Sequence, residues 1–188
     1  MVEASFIFDL PNSAATEALG RALAQSFPGA GDVAGSGSGS GSGAGAGAGA
    51  GAVVHLRGEL GSGKTTCARS LLHALGVTAP VRSPTYTLVD TYSAAALTCV
   101  HVDLYRVQST SEVEELGLRD MTGAGYLMLI EWPEKGGVAV PPPDLVLQLA
   151  YKGDARSAAA GAASATGKAW LAKLVIDTSL APYVSNLT

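Results

Sequence analysis

The stretch Gly58–Thr65 reads GELGSGKT and fits the pattern G-x-x-x-x-G-K-[ST]. It follows a β-branched apolar run at Val53–Arg57 and leads into a segment, Lys64 to about Leu75, whose apolar residues recur at helical spacing. A glycine-rich turn between a strand and a helix is typical of a phosphate-binding loop, because backbone N–H groups and the helix N-terminus favour an anion. The stretch therefore predicts nucleotide binding on an α/β fold.

Individual positions of this loop have distinct expected roles. Glycine is favoured at Gly61 and Gly63, because a side chain there would keep the backbone from closing around a phosphate. The Lys64 ammonium is expected to reach the β- and γ-phosphates, and the Thr65 hydroxyl to hold Mg²⁺. The alternative is a turn that merely links a strand to a helix, and the agreement of motif and context disfavours it.

Charge and composition disfavour several classes of protein. Sixteen Asp and Glu outnumber twelve scattered Lys and Arg, so direct and strong binding of DNA or RNA is not expected. Cys67 and Cys99 are interpreted as buried apolar residues of a reducing compartment. No apolar run approaches the roughly 20 residues of a membrane span, and the N-terminus carries Glu3 and Asp9 without an early basic residue. These features predict a cytoplasmic protein, or an organellar one if the source is eukaryotic.

The pattern of elements predicts one α/β domain over residues 1–188. The connection between Tyr92 and Leu97 is too short for a parallel crossover, so the strands on either side should form an antiparallel hairpin. We therefore expect a P-loop NTPase-like, three-layer α/β fold with a mixed sheet that contains this hairpin. The predicted strands are Ser5–Leu10, Val53–Arg57, Tyr86–Tyr92, Leu97–Val102, Tyr126–Ile130, Asp144–Tyr151 and Ala169–Ile176; the predicted helices run from Ser13 to about Phe27, from Lys64 to about Leu75 and from a capping box at Ser111–Glu114 to Gly117.

Three segments of the sequence contain no functional motif. Residues 29–51 are Gly-Ser and Gly-Ala repeats, which we interpret as a disordered and dispensable loop expansion, since each doubling of loop length costs only about 0.6 kcal/mol. Residues 155–167 are rich in Ala, Gly and Ser and are interpreted as an expanded, low-complexity hairpin loop. Residues 177–188 are expected to form a short C-terminal tail.

Two apolar strands end in carboxylates, as a nucleotide-hydrolysing site requires. Asp103 follows one predicted strand and Glu131 follows another, and either could anchor a metal ion or its water. Each could also be an ordinary acidic residue that faces solvent. The hydroxyl-rich segment Ser83–Thr87 is either an ordinary turn or a switch-like loop that senses the γ-phosphate and the metal. The residues alone leave these alternatives open.

Five blocks of sequence occur in a characteristic order. They are GELGSGKTT at 58–66, SPTYTL at 83–88, HVDLYR at 101–106, EELGL at 114–118 and IEWP at 130–133. In this order they resemble the TsaE (YjeE) family, the ATPases that serve threonylcarbamoyladenosine modification of tRNA. The second and third blocks are far more specific than a phosphate-binding loop alone. The resemblance covers nearly the whole chain outside the two low-complexity segments.

The resemblance implies ATP and Mg²⁺ as cofactors and a role for each matching residue. Lys64, Asp103 and Glu131 are the implied catalytic residues. The implied metal residues are Thr65, Glu131 and Asp103, of which Thr65 and Glu131 coordinate Mg²⁺ and Asp103 lies near the metal and the γ-phosphate as a second acid or a water-orienting group. Trp132 could instead be a core aromatic residue, and His101 is interpreted as strand packing rather than as a base. The residues implied to bind ATP are Thr16, near the base, and Gly61, Ser62, Gly63, Lys64, Thr65, Thr66, Thr85 and Trp132.

The resemblance also implies partners. Such an ATPase docks on a TsaD-type threonylcarbamoyl transferase paired with a TsaB-type protein, and its ATP hydrolysis resets that assembly. It contacts tRNA only through the complex, and neither DNA nor a membrane is an expected partner. Two other functions stay open. One is a small-molecule P-loop kinase, which should carry an arginine-rich lid, whereas the arginines here are dispersed. The other is a nucleotide-gated binding module with negligible turnover.

Overall fold

A computed structural model of the chain describes residues 3–29, 50–95 and 97–185. The predicted insert at 29–51 therefore lies outside the described residues, except for its two ends. Those ends are adjacent, since a Cβ atom added to Gly29 would lie 2.1 Å from the carbonyl oxygen of Ala50. Gly29 and Ala50, which border the residues that are not described, therefore lie side by side.

A mixed sheet of eight strands forms the centre of the described structure. The strands lie in the order β3-β4-β5-β2-β6-β7-β1-β8. The neighbours β4 and β5, β5 and β2, and β2 and β6 are parallel, and the other pairs are antiparallel. The strands are β1 (Glu3–Leu10), β2 (Ala52–Arg57), β3 (Val89–Ala94), β4 (Leu97–Asp103), β5 (Tyr126–Glu131), β6 (Leu145–Lys152), β7 (Ala155–Ala162) and β8 (Val184–Ser185).

In the described part of the chain, four α-helices cover the two faces of this sheet. The helices α1, α2 and α4 contribute to the larger of two apolar cores, and α3 contributes to the smaller core on the other face. The expected α/β fold with a mixed sheet is confirmed, and so is the antiparallel hairpin, in which Ala94 lies opposite Leu97. The helices are α1 (Ser13–Ser26), α2 (Lys64–Ala74), α3 (Thr110–Glu115) and α4 (Ala165–Leu174). Single 3₁₀ turns occur at Leu118–Met121, Pro133–Lys135, Gly137–Ala139 and Thr178–Leu180.

The helix α1 packs closely on α2, the helix that follows the loop Gly58–Gly63. A Cβ atom on Gly20 would lie 2.5 Å from the carbonyl oxygen of Cys67, so only glycine allows this approach. Cys67 and Cys99 are both buried and free, as expected. Burial raises the pKa of the Cys67 thiol to about 12 and that of the Cys99 thiol to about 11, so both remain protonated and unreactive.

The prediction for residues 155–176 was wrong. Residues 155–162 are the strand β7 rather than a low-complexity loop, and α4 replaces the strand predicted at Ala169–Ile176. The physical reason for β7 is that it lies between β6 and β1, where small side chains fit against their neighbours. For α4, the side chain of Ser164 accepts a hydrogen bond from the backbone N–H of Gly167 and caps the helix.

Two boundaries also differ from the prediction. The strand expected from Tyr86 begins at Val89, because the backbone turns at Leu88, whose φ of 63° is left-handed. The capping box lies two residues earlier than expected. The Ser109 hydroxyl accepts from the N–H of Glu112, and α3 begins at Thr110.

Part of the predicted tail, residues 177–188, is integrated into the sheet. Leu180 is fully buried, and β8 pairs with β1 through Ser185 opposite Ile7. Residues 186–188 lie outside the described chain. Within the described ranges, no helix is both long enough and apolar enough to cross a membrane.

Candidate functional site

The candidate site lies at the carboxyl ends of the parallel strands β2, β4 and β5. Asp103 ends β4 directly opposite Glu131, which ends β5, and Glu131 in turn lies opposite Leu56 of β2. The loop that leaves β2 runs into α2 at Lys64. Ligands of parallel α/β sheets bind at this edge, because the turns that follow the strands open there.

The backbone of the loop requires glycine at the positions that the sequence indicated. Gly61 and Gly63 have φ angles of 76° and 104°, which are left-handed, and Gly63 caps α2. A Cβ atom on Gly63 would lie 3.2 Å from Cγ2 of Thr16. Thr16 is therefore buried next to the loop, and the Ser62 side chain is likewise fully buried.

A cleft of about 490 Å³ gathers most of the predicted residues. The predicted residues that line it are Gly61, Gly63, Lys64, Thr65, Thr66, Thr85, Asp103, Glu131 and Trp132. The cleft is also lined by Leu60, Ser83, Tyr86, Tyr105 and Arg106, none of which was among the predicted site residues. Thr16 and Ser62 are the two predicted residues that do not line this cleft.

The Lys64 ammonium is held by the loop itself. Its Nζ atom donates to the carbonyl oxygens of Gly58 and Glu59 at 2.8 and 2.9 Å and lies 4.0 Å from the centre of the Trp132 ring. Burial lowers the pKa of Lys64, and the carboxylates of Glu131 and others oppose that shift. The positive charge is thus fixed at the loop without a direct ion pair to either strand-end acid.

Glu131 is buried and contacts two side chains. The Thr65 hydroxyl donates to its two carboxylate oxygens at 2.8 and 3.1 Å, and Nε2 of His101 lies 2.9 Å from Oε1. These contacts join the start of α2 to the ends of two strands. They orient Glu131 toward the hydroxyl that the loop motif assigns to the metal.

Asp103 is held by the hydroxyl-rich segment before β3. Its Oδ2 atom accepts hydrogen bonds from the hydroxyls of Ser83 and Thr85, the latter at 3.0 Å. Its Oδ1 atom accepts from the backbone N–H of Tyr105 at 2.9 Å. The segment at Ser83–Thr87 is therefore tied to an acid of the cleft, which an ordinary solvent-facing turn would not be.

Trp132 has a strained backbone next to the loop. Its φ of 58° is left-handed, a conformation that costs a non-glycine residue about 1–3 kcal/mol and often marks functional sites. The half-buried ring lies between the Lys64 ammonium and the Tyr105 ring, whose centroid is 5.0 Å away. Trp132 packs partly against the smaller core and also lines the cleft. It is therefore both a core aromatic residue and a residue of the candidate site.

His101 is the main residue whose position the sequence reasoning missed. It was interpreted as strand packing, and it is fully buried, but its ring contacts Glu131. A signal was present, because His101 and Asp103 are two residues apart on β4 and must share one face of the sheet. Ser83 was part of a recognised block, yet its bond to Asp103 could not be read from that block.

The donor set of the cleft fits a magnesium nucleotide. One hydroxyl and two carboxylates are hard oxygen ligands, and Mg²⁺ is commonly bound by one or two protein carboxylates together with phosphate oxygens. Within residues 3–29, 50–95 and 97–185, no group of three or more His, Cys, Asp and Glu could hold a metal. A side chain at Gly61 would crowd the protein itself, since a Cβ atom there would lie 2.5 Å from the Tyr151 hydroxyl.

Known structures share this fold. The crystal structure of YdiB from Bacillus subtilis superposes with a TM-score of 0.63 and covers 93% of this chain and 96% of its own. The two sequences are 23% identical, so this likeness shows the fold.

Sequence relatives carry one name, "tRNA threonylcarbamoyladenosine biosynthesis protein TsaE". The protein of Haemophilus influenzae is 43% identical over 105 residues, which are 56% of this chain and 66% of that protein. The protein of Synechocystis is 33% identical over 139 residues, covering 72% of this chain and 74% of that protein. Three proteins of the genus Rickettsia are 39% identical to this chain, and the chain spans 55–67% of their length.

The family model described as "Threonylcarbamoyl adenosine biosynthesis protein TsaE" matches residues 10–158. That range contains the loop, both strand-end acids and the hydroxyl-rich segment, all of which meet in the cleft. The chain belongs to the TsaE family.

Proposed function

We propose that this protein is a Mg²⁺-dependent ATPase that serves threonylcarbamoyladenosine modification of tRNA. One observation carries the proposal. Lys64 and Thr65 of the loop share a single cleft with two buried strand-end carboxylates, Asp103 and Glu131. Membership of the TsaE family supports the pathway, since that is the role in the family's name.

Thr65 and Glu131 would hold the metal. Their side chains already contact each other at 2.8 Å, so the two oxygen ligands are oriented toward one point before any metal binds. His101 contacts Oε1 of the same carboxylate at 2.9 Å and helps to hold it in this orientation. When bound, ATP would supply the phosphoryl group that is transferred to water, and Mg²⁺ would supply positive charge that neutralises the negative charge developing on the phosphate oxygens.

Asp103 would orient the attacking water. Its carboxylate lies at the end of the neighbouring strand and is connected to Ser83 and Thr85 by hydroxyl hydrogen bonds. A change in those bonds would move the segment that contains Thr85, which supports the switch-like interpretation of Ser83–Thr87. Lys64 would leave the carbonyl oxygens of the loop for phosphate oxygens, and its position at the start of α2 supports that role.

A protein partner is expected at the mouth of the cleft. Leu60 and Tyr86 line the same cleft and are 67% and 83% exposed, and exposed apolar side chains that are grouped together can mark a protein interaction site. We propose that they face a TsaD-type threonylcarbamoyl transferase paired with a TsaB-type protein, which ATP hydrolysis resets. The protein would contact tRNA only through that pair, in the cytoplasm.

Measurement of ATP hydrolysis by the purified chain tests this proposal. Turnover should be slow alone and should rise when a TsaB–TsaD-type pair is added. The Lys64→Ala variant is the control for contaminating ATPases, and an Arg119→Ala variant, changed outside the cleft, is the control for handling. Release of inorganic phosphate that needs both the pair and Lys64 would support an accessory ATPase.

Other outcomes would redirect the proposal. A phosphorylated metabolite in place of inorganic phosphate would identify a kinase. Nucleotide-dependent docking without any stimulated phosphate release would identify a nucleotide-gated binding module. Turnover that ignores the pair would retain the nucleotide site and remove the role in tRNA modification.

A further inference from the structure

Arg106 is the one charged residue of the cleft lining that no part of the proposed function uses. The charged residues that line the cleft are Lys64, Arg106, Asp103 and Glu131, so their formal charges cancel. A nucleoside triphosphate with Mg²⁺ still carries net negative charge, and the cleft must offer its cations to the phosphates rather than to its own acids. Lys64 meets this condition, since the loop carbonyls hold it.

Arg106, like Lys64, is not paired with an acid of the cleft, but it is held by an aromatic ring instead of the loop carbonyls. Its guanidinium lies 4.3 Å from the centre of the Tyr86 ring. Across the part of the chain that the structure describes, no carboxylate lies within 4.0 Å of it, whereas Arg21 pairs with Glu17 and Lys152 pairs with Asp9. The Tyr86 ring is 83% exposed, so this cation is held only by a solvent-accessible aromatic face.

The chain path places Arg106 close to Asp103, at the strand ends that line the cleft. It follows Asp103 by three residues, in a turn that is pinned to the sheet because the N–H of Leu104 donates to the carbonyl oxygen of Glu131 at 3.1 Å. Tyr86 lies directly after Thr85, which contacts Asp103. Arg106 and Tyr86 therefore belong to the two segments that meet at Asp103, and both line the same cleft as the loop.

We propose that Arg106 binds the terminal phosphate of the nucleoside triphosphate and so distinguishes ATP from ADP. This inference rests on the proposed nucleotide site. The loop would surround the inner phosphates, whereas Arg106 lies on the segment that carries Asp103, the acid proposed to orient water at the terminal phosphate, so Arg106 is placed for that phosphate. A guanidinium forms paired hydrogen bonds with phosphate oxygens, which are stronger than its contact with an exposed ring. When the nucleotide binds, the Arg106 guanidinium would therefore leave the Tyr86 ring for the phosphate, and the ring would be released.

Equilibrium binding of the full chain to ATP, to a non-hydrolysable triphosphate analogue and to ADP, each with Mg²⁺, tests this inference. Arg106→Ala should weaken binding of both triphosphates by roughly 10- to 100-fold, the loss of one or two charge-assisted hydrogen bonds. ADP affinity should change by less than about threefold, because ADP lacks the phosphate that Arg106 binds. The Arg106→Lys variant should bind triphosphates with an affinity between that of the unsubstituted chain and that of Arg106→Ala, since lysine keeps the charge and loses the planar pair of donors.

Two further variants separate phosphate binding from a structural role. Tyr86→Leu removes the ring and should leave the preference for triphosphate intact, because Arg106 no longer has to leave that ring. Arg119→Ala should leave every affinity unchanged, since Arg119 contacts the carbonyl oxygen of Val138 and does not line the cleft.

The possible results are distinguishable. An equal loss of ATP and ADP affinity in Arg106→Ala, or no loss, would overturn the inference while the nucleotide site stands. A triphosphate-specific loss in Tyr86→Leu as large as that in Arg106→Ala would also overturn it, because the ring pair would then be the important feature. Failure of the unsubstituted chain to bind any nucleotide would overturn the proposed function itself.

Discussion

The two halves of the sheet bury different kinds of residue. The loop half consists of β3, β4, β5, β2 and α2, and the alanine half consists of β6, β7, β1, β8 and α4. Every buried charged side chain among the described residues lies in the loop half, together with the buried histidines. The alanine half buries Ala158, Ala160 and Ala162 against large side chains such as Phe8 and Trp170.

This difference shows where stability and chemistry reside. A buried charge is costly unless it is paired, and Glu131 and Asp103 are each held by several hydrogen-bond donors. Such a region is built for binding and contributes little by burial alone. Among the described residues, the buried side chains of β6, β7 and α4 are apolar and do not line the cleft, so the alanine half should determine stability with little effect on affinity.

The largest expected effect is on stability in the alanine half. Trp170→Ala removes a fully buried ring that packs 4.8 Å from Phe27 and donates to the carbonyl oxygen of Leu23. Urea unfolding should show a loss of about 3–5 kcal/mol in the free energy of unfolding. Nucleotide affinity of the folded fraction should change less than about twofold. A tenfold fall in that affinity would mean that the halves are coupled.

The second prediction concerns the loop half, where a substitution should reduce turnover and leave stability nearly unchanged. Lys64→Ala should reduce ATP turnover by about 100- to 1000-fold, because an electrostatic donor to the phosphates is lost. Its melting temperature should stay within a few degrees of the unsubstituted chain, since water can replace Lys64 at the two loop carbonyls. Near-normal turnover with lowered stability would show that this lysine is only structural.

The third prediction compares the two acids. Glu131→Gln should raise the Mg²⁺ concentration needed for nucleotide binding by about tenfold or more, because one charged oxygen ligand is lost. Asp103→Asn should leave that requirement nearly unchanged and reduce turnover, since its expected role is to orient water. Titration of nucleotide binding with Mg²⁺ measures the first effect. If the two results were exchanged, Asp103 would be the metal ligand.

The fourth prediction concerns pH and a buried histidine of the loop half. Burial lowers the pKa of His55 to about 4 from an ordinary 6.5, and its Nε2 atom contacts the carbonyl oxygen of Pro141. Between these pH values the unfolded chain binds more protons, so stability falls as pH falls from 6.5 toward 4. This group alone should cost about 2 kcal/mol between pH 7 and pH 5.

Urea unfolding at both pH values measures that loss, and His55→Asn is the matched variant. The variant should lose about 2 kcal/mol less than the unsubstituted chain over this range. The same loss in both proteins would assign the pH dependence to other groups.

The smallest effect is expected outside both halves. Deleting residues 35–49 should change the free energy of unfolding by no more than about 1 kcal/mol and leave ATP affinity unchanged. The reason is that Gly29 and Ala50 are already adjacent, so a short segment can join them. Loss of ATP binding on this deletion would contradict the interpretation of the insert as dispensable.

The same contrast explains which elements could be predicted. In the loop half, α2 and the strands that end in Asp103 and Glu131 were found because they combine local motifs with clear apolar periodicity. The strand β7 was missed because ARSAAAGA offers no such period and resembles a flexible segment. For α4, Ser164 and the spacing of Trp170 and Leu174 were available signals, but the preceding composition led to the wrong interpretation.

The sequence by itself determined the loop, its lysine and threonine, and the acids at two strand ends. These features depend on short-range requirements, such as a left-handed φ at Gly63 and the alternation of side chains along a strand. Only the tertiary structure decided that Glu131 contacts Thr65 and His101, and that Arg106 stacks on Tyr86. Thr65 and Glu131 are 66 residues apart, and the pairing of distant strands that brings them together is fixed by burial of the whole sheet.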